Sequence, residues 1–125
     1  MRYPEVTVAV ILVIALAGLG YWTVTGYVLK APAGLDAFAS CLTQSGATMY
    51  GAYWCPHCAN QKSLFGASWS KVNYVECDAR GVGGRPDICT RAGIQGYPTW
   101  IIKDQRFEGE LTLAQLSQAS GCALP

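Results

Sequence analysis

Charge is scarce in this chain, at 14% of 125 residues, and the formal net charge is only +1. That balance excludes a basic face for nucleic acid and an acidic tail for a cationic partner. There is one histidine, and neither a second Cys-x-x-Cys nor a His-x-x-x-His, so the second half of a zinc centre is missing. Ala59 follows the Cys-x-x-Cys, which removes the Cys-x-x-Cys-His signature of attached haem. There is also no internal repeat and no low-complexity tract.

The scarcity of charge is local. Residues 6–29 contain no Asp, Glu, Lys, Arg or His. At ~1.5 Å per residue such a run makes a helix of roughly 36 Å, enough to cross a bilayer. Tyr21, Trp22 and Tyr27 lie toward its far end, where amphipathic rings favour the membrane interface. The expected organisation is an anchor over 1–29, a linker over 30–34 broken by Pro32 and Gly34, and a domain over 35–125. A cleaved signal peptide is the rival. Ala15-Leu16-Ala17 fits its small-x-small cleavage form, whereas the apolar run exceeds the usual ~7–15 residues. Arg2 and Lys30 flank the run and encode orientation weakly. Six cysteines decide the side better, because an even, dense set belongs to an oxidising compartment. The catalytic domain is therefore expected on the extracytoplasmic side, periplasmic or lumenal.

Beyond the linker the pattern becomes periodic. Leu35, Phe38, Ala39 and Leu42 mark one face of a short helix. Aromatic content predicts a strand over 47–54, and a helix then runs from His57 to Phe65. A second strand covers 72–77, followed by a loop with Gly81, Gly83 and Gly84 and a helix ending at Ala92. A strand over 99–102 turns through Lys103-Asp104-Gln105 into a return strand over 106–109. Thr112 is placed to cap a last helix that Gly121 ends. Strands alternating with helices and closing on a hairpin predict an α/β fold with a mixed sheet.

Cys55-Pro56-His57-Cys58 falls at the first strand-to-helix junction. A sulfur at a helix N-terminus meets unsatisfied N–H groups and a dipole that favour an anion, so thiolate chemistry is expected at Cys55. Cys58, one turn along, is placed to resolve a mixed disulfide. His57 beside the thiolate would stabilise the reduced form and make the disulfide a stronger oxidant. Gly96-Tyr97-Pro98-Thr99 leads into a strand, where Pro98 can hold a cis bond and Tyr97 can offer its backbone to a substrate strand. Trp54 and Tyr53 shape the same site. No cofactor and no metal are required by this set.

Trp54-Cys55-Pro56-His57-Cys58 with Gly96-Tyr97-Pro98-Thr99 resembles the thioredoxin superfamily over roughly 35–122. More narrowly, Tyr50-Gly51-Ala52-Tyr53 before the dithiol, Asn60-Gln61-Lys62, Leu64-Phe65-Gly66 and Gly93-Ile94-Gln95-Gly96 before Tyr97 resemble one branch. That branch is the thioredoxin-like partner domain of bacterial and plant vitamin K epoxide reductase homologues. The resemblance implies a thioredoxin-like fold and an oxidase of client protein thiols, reoxidised by a membrane enzyme that passes electrons to a quinone. The Pro-His pair also resembles DsbA-type oxidases. Met49 stands where thioredoxins carry a buried Asp, a departure that weakens a reductase role. With one candidate membrane helix here, the quinone-reducing part is expected on a separate protein.

Cys77 and Cys89 flank the glycine-rich loop, and the resemblance implies a structural bond between them. Such a loop is worth ~2–3 kcal/mol by chain-entropy reasoning. A shuttle pair relaying electrons to the dithiol is the alternative. Cys41 and Cys122 remain as a pair, unless Cys41 is inert or Cys122 bonds another chain. Two other functions stay open: a membrane-tethered reductase for cytochrome or metallochaperone thiols, and a copper or zinc carrier using Cys55, Cys58 and His57.

Overall fold

The structure, a computed structural model, describes residues 10–17 and 34–125. Residues 10–17 form a helix (α1) with exposed side chains. Among the described residues no helix is long and apolar enough to cross a membrane. The remainder of the expected 6–29 span, and linker residues 30–33, lie outside the described residues.

Gly34–Pro125 is a unit of its own. In chain order it holds α2 (Asp36–Gln44), β1 (Thr48–Gly51), α3 (Pro56–Ser63), a 3₁₀ helix (Gly66–Lys71), β2 (Tyr74–Glu76), α4 (Pro86–Arg91), β3 (Thr99–Ile102), β4 (Gln105–Glu108) and α5 (Leu113–Ser120). The four strands form one sheet in the order β2-β1-β3-β4. β1 runs parallel to β2 and antiparallel to β3, and β3 pairs antiparallel with β4. A mixed sheet with this order and these connecting helices is the thioredoxin-like α/β arrangement.

Local chemistry explains the elements. α2 buries Phe38, Ala39 and Leu42, the face its spacing predicts. α5 starts with a capping box: the Gln115 N–H donates to Thr112 Oγ1 at 3.2 Å, and the Thr112 N–H donates to Gln115 Oε1 at 2.8 Å. It ends at Gly121, whose φ of 82° is the left-handed stop expected of glycine. Phe38, Leu42, Met49, Trp100, Ile102 and Leu116 are fully buried and form the centre of the core. Each such side chain stabilises the fold by about 1.5–3 kcal/mol relative to exposure.

β4 starts at Gln105 rather than 106 and ends at Glu108, and three other elements depart further from expectation. β1 stops at Gly51 because the chain turns, with the Cys55 N–H donating to the Ala52 carbonyl at 3.1 Å. α3 stops at Ser63, and the following Gly66 adopts a φ of 53°. A 3₁₀ helix then carries Trp69 against Phe65, whose ring centroids are 5.8 Å apart, before β2 begins. β2 is only three residues long because the ladder with β1 reaches no further than Glu76.

Candidate active site

Cys55 is the N-cap residue of α3, and the Cys58 backbone N–H donates to its Sγ at 3.2 Å. Pro56 occupies the first helical position, where its missing N–H costs nothing. Both cysteines are unpaired thiols, and they are 5% and 1% exposed, so of the two Cys55 is nearer the surface. Burial, followed by the hydrogen bond with Cys55, pushes the Cys58 thiol up to about 12. The arrangement separates an outer sulfur supported by a helix terminus from an inner one that holds its proton.

His57 projects outward, and its Nδ1 lies 2.6 Å from Glu110 Oε1. That hydrogen bond is the main cause holding the Glu110 carboxyl below its ordinary value, with Asn60 Nδ2 adding a donor at 3.3 Å. A carboxylate can only accept, so Nδ1 carries the proton and the ring orientation is set. Glu110 is held there by the buried Gln61. Its Nε2 donates to the Leu111 carbonyl at 2.9 Å, and its Oε1 accepts the Leu111 N–H at 2.7 Å.

Trp54 and Tyr53 are each 55% exposed beside the dithiol. Trp54 is nevertheless anchored: its Nε1 donates to Asp78 Oδ2 at 2.8 Å, and its ring meets Tyr97 edge-on at 6.1 Å. The Asp78 carboxyl is held well below its usual range, first by the two-pronged Arg80 guanidinium and then by Trp54. The Tyr97–Pro98 peptide is cis and Pro98 is fully buried. β1–β3 pairing puts Tyr50 opposite Thr99, and the same register carries Pro98 across from Gly51. Gly51 is where the dithiol meets the sheet, since a Cβ there would stand 2.9 Å from Cys58 Sγ.

The other four cysteines are paired with one another. Cys77 and Cys89 are disulfide-bonded with Cα atoms 5.8 Å apart, joining the end of β2 to α4. Cys41 on α2 and Cys122 after α5 are bonded with Cα atoms 5.9 Å apart. Glu110, Asp78, Arg80, Tyr74 and Glu76 are site neighbours that motif reading misses. Of these, only Glu76 and Asp78, which flank Cys77 directly, carry any sequence signal.

Fold and site together place a free Cys-x-x-Cys dithiol at the N-terminus of α3 in a thioredoxin-like α/β fold. No family model matches the chain. Over 92 residues it is 46% identical to the thiol–disulfide oxidoreductase LTO1 of Arabidopsis thaliana, a match covering 70% of this chain. The chain spans about a quarter of that relative, 24% of its length. Among solved structures, chloroplastic thioredoxin z is similar at 26% identity with a TM-score of 0.43, over 60% of this chain and 74% of that one. Oxidised glutaredoxin 2 from Chlamydomonas reinhardtii is similar at 16% identity with a TM-score of 0.37, over 70% and 81%.

Proposed function

We propose that the domain is a disulfide-forming oxidase, tethered to a membrane through residues 6–29 and facing the extracytoplasmic side. The observation that carries the direction is the Cys58 N–H donating to Cys55 Sγ at the N-terminus of α3, with His57 between the two cysteines. Both favour negative charge on Cys55 once the disulfide opens. Stabilising the reduced form raises the reduction potential of the pair. Met49, fully buried on β1, leaves an apolar side chain where a thioredoxin-like reductase carries its acid.

The cycle balances as follows. A client thiolate attacks Cys55 in the Cys55–Cys58 disulfide, and Cys58 leaves with the electron pair. A second client thiolate attacks the client sulfur of the mixed disulfide, forming the client disulfide and expelling Cys55 as a thiolate. Two electrons have then passed from client to domain. Reoxidation falls to a membrane quinone-linked disulfide-generating enzyme, a vitamin K epoxide reductase homologue, whose disulfide Cys55 attacks in turn. Cys77–Cys89 and Cys41–Cys122 take no part and serve structure, which accords with an oxidising compartment. Client recognition falls to Tyr97 beside Pro98, flanked by Trp54 and Tyr53.

Equilibration with glutathione redox buffers tests the direction. The expected potential lies toward ~−120 mV, the DsbA value, and falls in His57→Ala. A potential near ~−270 mV, that of thioredoxin, would instead make the protein a tethered reductase.

A further inference from the structure

Glu76 is buried, at 7% exposure, and forms no ion pair among the described residues. A carboxylate in that position is costly unless it is hydrogen-bonded and used. The Tyr74 hydroxyl donates to its Oε2 at 2.8 Å, and the Asp78 N–H donates to Oε1 at 3.0 Å. Gly81 closes over it, since a Cβ there would stand 2.5 Å from Glu76 Cγ. None of the exchange steps described so far uses this acid.

Its position relative to the dithiol gives it a use. Tyr74 and Glu76 alternate with Val75 along β2 and so share a face, and Glu76 pairs with Gly51 in the parallel ladder. The point where Gly51 lacks a side chain lies 2.9 Å from Cys58 Sγ and 3.4 Å from the Tyr74 hydroxyl oxygen. Thiol and phenol thus flank one notch, which the missing Gly51 side chain leaves open between them. Met49, on the same face of β1, supplies no polar group. The other titratable or charged groups facing the notch are Cys55 and Lys62, whose Nζ lies 3.8 Å over the Tyr74 ring. Asp78 lies on the far side of Glu76 and is engaged by Arg80.

We propose that Glu76, acting through the Tyr74 hydroxyl, accepts the proton of Cys58 when that thiol resolves a mixed disulfide on Cys55. The inference rests on the dithiol-exchange reading above and applies to the step that recharges the domain. Cys58 loses its proton to the Tyr74 oxygen as the Tyr74 proton passes to Glu76. The Cys58 sulfur then bonds to Cys55 Sγ, the bond from Cys55 to the partner breaks, and the partner sulfur leaves with the electron pair. Glu76 afterwards returns the proton to solvent. Cys58 needs such help because burial holds its proton firmly. Tyr74 is a conduit and not a store, since burial and then Glu76 push its own hydroxyl above the ordinary range.

The test mixes the reduced full-length chain with oxidised glutathione, quenches in acid and follows the Cys55–glutathione adduct by mass spectrometry across pH. In Glu76→Gln the adduct should form at the wild-type rate and decay at least about tenfold more slowly near pH 6.5. The deficit should narrow as pH rises, because hydroxide then takes the proton. Tyr74→Phe keeps the ring against Trp69 and Lys62 and should shift the decay in the same direction, which covers the case in which Glu76→Gln fails to fold. Decay at the wild-type rate and pH profile in both variants would overturn the proposal, as would equal slowing of formation and decay. A wild-type chain that never forms the adduct would remove the exchange reading itself.

Discussion

Trp54 is half exposed, yet its geometry depends on Asp78, 24 residues away, and through Asp78 on Arg80. The acid is therefore a testable link between the glycine-rich loop and the rim of the site. The Asp78 carboxyl is depressed by Arg80 and Trp54, so its stabilising contribution is present above the unfolded value of ~3.9 and is lost as pH falls through the folded value. Asp78→Asn should melt at a lower temperature than wild type near pH 7. The gap should shrink steadily from about pH 4 downward, in thermal melts recorded by tryptophan fluorescence. A gap that stays constant down to pH 2 would remove Asp78 from the account. At this scale the sequence is legible where chemistry is contiguous. Cys55 and Cys58 sit one helical turn apart and declare themselves. His57 and Glu110 lie 53 residues apart, and neither residue type at such a separation carries a pattern.

Gln61 is the one buried polar residue of α3, and it ties that helix to the segment between β4 and α5 through both backbone groups of Leu111. Gln61→Leu keeps the volume and strands a buried N–H and a buried carbonyl. It should cost about 2–4 kcal/mol, read in urea as a lower midpoint with an unchanged slope. A loss below about 1 kcal/mol would mean that water replaces the amide there. The order of elements is legible from sequence because each strand is short and carries aromatic or β-branched side chains, with glycine or proline beside β1, β3 and β4. The expected strand over 99–102 coincides with β3, which Pro98 delimits. The 3₁₀ helix over Gly66–Lys71 is not legible, since six residues with a period near three never repeat often enough to show a face. β1 is overextended in the expectation because Tyr53 and Trp54 have strand-forming side chains, whereas their backbone follows the turn that delivers Cys55 to α3.

Across the whole domain, α2 and the chain's end are joined by Cys41–Cys122, a bond between residues 81 positions apart. Sequence alone leaves this pairing open, because bonding needs the two Cα atoms within ~7 Å and that separation is a property of the finished fold. Here it is 5.9 Å, and it arises because α2 and the segment after α5 both contribute to one core, with Phe38, Leu42, Leu116 and Cys122 all buried in it. A bond closing almost the entire domain restricts the unfolded chain more than the Cys77–Cys89 bond, which spans 12 positions. Chain-entropy reasoning puts the two near ~4.5 and ~3 kcal/mol. The double variant Cys41→Ala with Cys122→Ala should therefore lose about 4 kcal/mol in urea denaturation while keeping its dithiol exchange rate with oxidised glutathione, since neither residue hydrogen-bonds to the dithiol or its rim. Cys77→Ala with Cys89→Ala should lose less stability but alter the site, because Asp78 follows Cys77 directly and holds Trp54. Equal stability losses with no change in exchange from either variant would mean that the small loop is as decoupled from the dithiol as the large one. The anchoring of Trp54 through Asp78 would then be incidental to exchange.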